Sequence, residues 1–125
     1  MKNFFIQQKI RLSENCGMFK NIFMDNFFSM GGLRSGSEEI EILAQSENFR
    51  VERIVSNRAS SPDGFWYDQE EDEKVWVLQG EAQIEFEGEV AFLKKGDGLL
   101  IKRHVLHRVR RTSEDCVWLA IFGNF

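Results

Sequence analysis

The chain has 125 residues, of which 42% are hydrophobic and 29% charged, and its formal net charge is −4. That length holds one domain with a substantial core and leaves no room for two. The acidic balance argues against a general nucleic-acid binder, and no apolar run approaches the roughly 18 residues of a membrane span.

At the N-terminus Phe4, Phe5 and Ile6 form an apolar trio, but Gln7, Gln8, Lys9 and Arg11 interrupt any signal-peptide core, so a cytoplasmic protein is expected. Cys16 and Cys116 have no neighbouring Cys, which predicts two buried, reduced thiols and not a metal knuckle or a redox Cys-x-x-Cys. Phe19, Phe23 and Phe27 recur at every fourth position, with Met30 near the same edge. This spacing predicts a turn or two of helix packed on a sheet. Gly31, Gly32 and Gly36 mark a loop up to Ser37. Ser37 to Ala44 is compatible with a capped short helix or with an edge strand. Residues 1–48 are thus expected to form an extension, partly helical or extended, that packs on the main domain or on a partner subunit.

From residue 49 onwards the pattern is that of strands. Val51 to Val55 is rich in β-branched residues, and Ser61-Pro62-Asp63-Gly64 ends that region with a turn. Val75 to Leu78 is apolar on both faces, so both sides need cover. Ala82, Ile84 and Phe86 alternate with Gln83, Glu85 and Glu87, and Gly88 permits a hairpin reversal into Val90 to Leu93. Lys94 to Gly98 forms another turn, after which Leu99–Ile101, Val105–Val109 and Val117–Phe122 complete the set. Seven or eight short strands without a helix-length crossover predict an all-β sandwich, jelly roll or closed barrel with antiparallel pairing.

Around the hairpin stand Glu73 and Gly80 on one side, and Gly96-Asp97-Gly98 and His107 on the other. This constellation resembles the two motifs of the cupin superfamily. In the first motif two His one residue apart precede a Glu and then a Gly. Glu73 and Gly80 match, while Tyr67 and Gln69 fall at the His positions with the shorter of two gaps and Trp66 and Asp68 with the longer. In the second motif Gly96 and His107 match, whereas Lys102, His104 and Arg111 replace Pro, Gly and Asn. The resemblance covers about residues 49–122, looks most like small single-domain cupins, and implies an all-β jelly-roll barrel (double-stranded β-helix).

Metal-binding members carry three imidazoles and one carboxylate inside the barrel. This chain supplies Glu73 and His107, with Gln69 able to add an amide oxygen, and Tyr67, whose ordinary pKa is about 10, a poor ligand near neutral pH. His104 would join them only if a turn at Lys102 and Arg103 breaks the strand, because an odd spacing from His107 otherwise sends it to the opposite face. The resemblance implies one divalent transition metal, Fe, Mn, Ni or Zn, yet two strong ligands hold such an ion weakly, and a metal-free barrel is the alternative.

The acidic run Asp68, Glu70, Glu71 and Asp72 reads as solvated loop, with Asp68 near the site. Lys102, Arg103, Arg108, Arg110 and Arg111 are expected to pair with acidic groups before they form an anion site. Phe65, Trp66 and Tyr67 suit core and rim packing. No Ser-His-Asp set, phosphate loop or dinucleotide fingerprint occurs. Two functions remain open. One is a module that binds a small polar molecule through Tyr67, Gln69, Glu73 and His107. The other is a metal-dependent enzyme of dioxygenase or isomerase type, in which Glu73, His107 and either Gln69 or His104 hold the ion. Trp76 and Leu78 on the outer sheet face predict a homodimer.

Overall fold

A computed structural model describes residues 21–125 in full and the backbone of residues 8–12 and 17–19. Cys16 and the trio Phe4, Phe5 and Ile6 lie outside the described residues. The strands are β1 (Gln8–Leu12), β2 (Gly17–Phe19), β3 (Ile22–Met24), β4 (Ser37–Gln45), β5 (Phe49–Asn57), β6 (Asp72–Gln79), β7 (Glu81–Phe86), β8 (Glu89–Lys94), β9 (Gly98–Ile101), β10 (His107–Thr112) and β11 (Cys116–Gly123). No helix occurs among the described residues. A six-stranded sheet runs β1-β4-β5-β11-β6-β9, a three-stranded sheet β10-β7-β8, and β2 and β3 pair by themselves.

The alternation of side chains builds the barrel. Along β11 Trp118, Ala120 and Phe122 turn inward, and their register partners place Ile54 of β5 and Val75 and Val77 of β6 on the same face. Ala82, Ile84 and Leu93 close the core from the small sheet. Burial of a side chain the size of Phe122, fully enclosed here, stabilises by about 1.5–3 kcal/mol. The same register carries a carboxylate inward, since Glu73 lies opposite Phe122. Gly80 joins β6 to β7 at φ 82°, where a Cβ would stand 2.5 Å from Ser113 Oγ and 3.0 Å from the Cys116 Cα. The motif glycine therefore answers a backbone requirement and a close approach at once.

Three expectations are corrected in the first third of the chain. The four-residue spacing of Phe19, Phe23 and Phe27 does not mark a helix: β2 and β3 form a hairpin, and Phe23 is 54% exposed. A spacing of four is also a multiple of the strand period of two, so the signal was degenerate. Ser37 to Ala44 is strand, and not an edge, because β4 pairs with both β1 and β5. Pairing of β1 with β4 is parallel, against the expectation of antiparallel strands alone, and residues 13–36 supply the long connection it needs.

The segment before β4 lies over the outer face of β4 and β5. Arg53, buried there, donates to the carbonyls of Phe27 and Ser29 and pairs with Glu41 at 3.5 Å. Asn57 Nδ2 donates to Leu33 O at 2.7 Å. Cover for Trp76 comes partly from its own sheet: Lys74 Nζ sits 5.0 Å from its ring, and Gly98 leaves room where a Cβ would stand 2.6 Å from the indole. Leu100, beside them on β9, remains 51% exposed.

Candidate ligand site in the barrel

Tyr67, Gln69, Glu73 and His107 meet at one cavity in the barrel, each between 4 and 8% exposed. Glu73 comes from the start of β6 and His107 from the start of β10. Tyr67 is tied to His107 by a two-way backbone bridge, Tyr67 N donating to His107 O at 2.7 Å and His107 N to Tyr67 O at 3.3 Å. Its ring stacks on the imidazole at 5.3 Å between centroids, with Phe65 edge-on behind it at 4.8 Å. Gln69 is anchored through its backbone, whose carbonyl accepts from His104 N at 2.8 Å.

The tautomer of His107 follows from its contacts. Nδ1 lies 2.8 Å from Val105 O, and a carbonyl can only accept, so Nδ1 carries the hydrogen. Nε2 is turned toward Glu73 Oε1 at 3.7 Å, beyond hydrogen-bond reach. Both amide atoms of Gln69 are buried without a partner. The cavity these groups share measures about 40 Å³, and Ile54, Val75, Ile84, Trp118 and Phe122 complete its walls. That is space for a few water-sized groups, since one water needs about 10–15 Å³ by the same measure. Burial, reinforced by the carboxylates of Glu38, Glu73 and Glu52, pushes the Tyr67 phenol above its ordinary range. It stays protonated at physiological pH, which strengthens the case against Tyr67 as a metal ligand.

Sequence reasoning missed Glu38. It lies on β4 opposite Ser56, inside the barrel and 3% exposed, and lines the same cavity. Ser56 Oγ donates to Glu38 Oε2 at 3.1 Å and accepts from Trp118 Nε1 at 3.1 Å, while Glu38 Oε1 has no partner. Burial pushes the Glu38 carboxyl up to about 8, opposed by the Ser56 hydrogen bond and reinforced by Glu52 and Glu73. The signal was present in the alternation of Glu38, Ile40 and Ile42 with Glu39 and Glu41, and became readable only once this segment was known to be a strand. Glu52, buried on β5 four residues before Ser56, is likewise raised by burial but is held by Arg50 at 2.6 Å.

His104 is not part of this cluster. It occupies a left-handed turn at φ 63°, is half exposed, and bonds Asp68 through Nδ1 at 2.6 Å, which raises its pKa. Asp72 reverses an expectation: placed by sequence in solvated loop, it is fully enclosed. Its carboxylate accepts from Arg103 N at 2.8 Å, Phe125 N at 2.9 Å and Lys102 Nζ at 3.2 Å. Those bonds, the backbone donors first, hold it well below the usual carboxylate range. The expected charge pairing is seen at Asp72 and also at Arg108, which binds Glu85 at 3.0 Å and the Ser61 carbonyl at 3.1 Å.

A divalent transition metal is the group that the motif resemblance implies, and the donor set does not fit it. Such ions take three or four protein donors at about 2.0–2.2 Å. Among the described residues no group of three or more His, Cys, Asp or Glu is arranged to hold an ion, and His107 and Glu73 stand as a pair. A larger groove of about 300 Å³ lies on the outer face of the small sheet, beside Gln83, Phe92 and Arg111. Its charged side chains are exposed and it contains no buried polar atom lacking a partner, so the barrel cavity is the candidate site.

Fold and cavity together define a small single-barrel protein with a polar centre. Residues 58–122 match the family described as cupin domain, and the chain belongs to the cupin family. An uncharacterized protein of Aquifex aeolicus (strain VF5) is 37% identical over 91 residues, 72% of this chain and 74% of that protein. A solved structure from Ralstonia eutropha JMP134, provisionally called a mannose-6-phosphate isomerase, is 37% identical. It has a TM-score of 0.76 and covers 82% of this chain and 98% of its own. A cupin superfamily protein from Desulfitobacterium hafniense DCB-2 shares the fold at 18% identity and a TM-score of 0.69, covering 90% of this chain and 100% of its own. No helix among the described residues is long and apolar enough to cross a membrane.

Proposed function

We propose that this cupin binds a small polar molecule in its barrel, with Gln69, Glu73 and His107 as the polar contacts and Tyr67 as a stacked hydroxyl donor. The observation that carries the reading is Gln69, whose amide is buried beside the cavity with neither end bonded. A buried amide left bare costs about 1–3 kcal/mol, a cost that a bound polar group offsets. The cavity size limits what enters it to a head group of a few heavy atoms, with the rest of the ligand at the mouth. Thermal-shift titration with small polar compounds, among them ethylene glycol, methylammonium and mannose, tests this. At least one should stabilise the native chain and leave Gln69→Leu unmoved, whereas equal responses in both would contradict the reading.

The relative provisionally called a mannose-6-phosphate isomerase favours a second reading, an isomerase. Here Glu73 and His107 would move a proton between adjacent carbons of a hydroxy-carbonyl compound. Against it, no Lys or Arg lines the cavity to hold a phosphate. Turnover of mannose 6-phosphate that is lost in Glu73→Gln would establish this reading over the first. The protein is further taken to be a homodimer, joined through the outer face where Trp76 lies opposite Leu119 and Leu100 is exposed.

A further inference from the structure

We propose that the barrel cavity takes a protonated primary amine, its ammonium group held between Glu38 and Glu73 beneath the rings of Tyr67 and Trp118. The inference rests on the reading of the barrel as a ligand site and adds the chemical class of the ligand.

Charge gives the first argument. Two carboxyl side chains, Glu38 and Glu73, line the cavity, and no Lys or Arg does. Arg50 of β5 and Arg108 of β10 are committed elsewhere, Arg50 to Glu52 at 2.6 Å and Glu71 at 3.3 Å, and Arg108 to Glu85 at 3.0 Å. A carboxylate or phosphate head would enter against like charge with no cation to meet it. An ammonium group would draw Glu38, a buried acid whose proton the fold otherwise retains, into its ionised form and would partner the oxygen that now has none.

Hydrogen-bond inventory gives the second. Glu38 Oε1 and Gln69 Oε1 are unpartnered acceptors, 97 and 96% buried by the exposures of 3 and 4%. His107 presents the lone pair of Nε2, because its Nδ1 hydrogen is held by Val105 O. An ammonium group offers three donors and no acceptor, the complement of this set. The rings of Tyr67, Trp118 and Phe122 line the same cavity and supply π faces toward which a desolvated cation is drawn. A volume of about 40 Å³ admits a methylammonium-sized head.

The fold also supplies a reporter. Trp118 Nε1 donates to Ser56 Oγ, which donates to Glu38 Oε2, so a change at Glu38 is felt at one indole N–H. The test follows that resonance, assigned with Trp118→Phe, while the intact chain is titrated with methylammonium chloride. Sodium chloride, sodium acetate, inorganic phosphate and mannose serve as parallel titrants. The Trp118 signal should move saturably with methylammonium, with Trp66 and Trp76 nearly still, and Glu38→Gln should weaken the response roughly tenfold or more. Should that variant not fold, Glu73→Gln takes its place. An equal response to sodium chloride, a saturable response to acetate or phosphate, or a methylammonium response unchanged in the variant would overturn the inference. A response to mannose without one to methylammonium would overturn it and leave the barrel as a ligand site; silence with every titrant, together with a flat thermal-shift panel, would remove both.

Discussion

His107 Nε2 faces Glu73 Oε1 across 3.7 Å, and the imidazole is locked in that orientation because its Nδ1 hydrogen is given to Val105 O. A lone pair and a carboxylate oxygen so placed call for a donor between them. A bound polar group can be that donor, and Glu73→Gln tests the point. The substitution keeps the shape and removes the charge, so ligand affinity should fall at least tenfold in calorimetry while the melting temperature holds or rises. It should not fall, since a buried carboxylate with no hydrogen bond is a cost to the fold. His104→Ala should leave binding intact, because that side chain points to Asp68 at the rim.

Glu38 predicts a pH dependence whose sign is fixed by its surroundings. Its carboxyl titrates at about 8 in the fold against an ordinary 4.5, because of burial and the nearby Glu52 and Glu73, with Ser56 acting in the opposite sense. Between those values the folded chain holds the extra proton. Stability is therefore greatest below pH 4.5 as far as this group is concerned and declines as pH rises toward 8, by up to about 1.4 kcal/mol per pH unit. Glu38→Gln should flatten the decline in urea titrations across that range. A shallower slope of the same sign should remain from Glu52, whose carboxyl is also raised.

Asp72 predicts the opposite limb. Its carboxylate joins the start of β6 to Arg103, Lys102 and Phe125, and its pKa is lowered by those bonds. The stability it contributes is present above the ordinary carboxylate range, about 3.9, and is lost as pH falls through and below it. Asp72→Ala should lower the melting temperature at pH 7 by several degrees and remove part of the acid sensitivity, measured by circular dichroism. An unchanged acid limb would show that the bonds at Asp72 are not what holds the chain's last residues to β6.

Trp76, Leu119 and Leu100 predict assembly. Leu100→Glu places a charge on the outer sheet face without touching the barrel cavity, and should convert a dimer into a monomer by light scattering at micromolar concentration. A native chain that is already monomeric there would refute the homodimer. Conversion should leave ligand affinity within about twofold if the cavity is complete in one subunit, since no outer-face side chain lines it.

Much of this was legible in the sequence. The alternation of Ala82, Ile84 and Phe86 against polar partners gave β7 and its hairpin, and the motif resemblance from Tyr67 to His107 pointed to four residues, Tyr67, Gln69, Glu73 and His107, that do converge. Two kinds of signal were ambiguous. The Phe repeat fitted both the strand and the helix period, and Ser37 to Ala44 lacked a turn residue to settle its type. That second ambiguity hid Glu38, because a side chain cannot be assigned to a face before its element is known. Asp72 and Glu73 are adjacent in sequence and face opposite ways from one strand. Only the long-range donors at Arg103 and Phe125 mark the first as structural.

Elemental analysis of protein purified without a His tag tests most directly the claim that Glu73 and His107 serve a polar ligand and not a metal. Fe, Mn, Ni and Zn should each be well below one equivalent, in the native chain as in Glu73→Ala and His107→Ala. One equivalent of any of them, lost in either variant, would contradict the account.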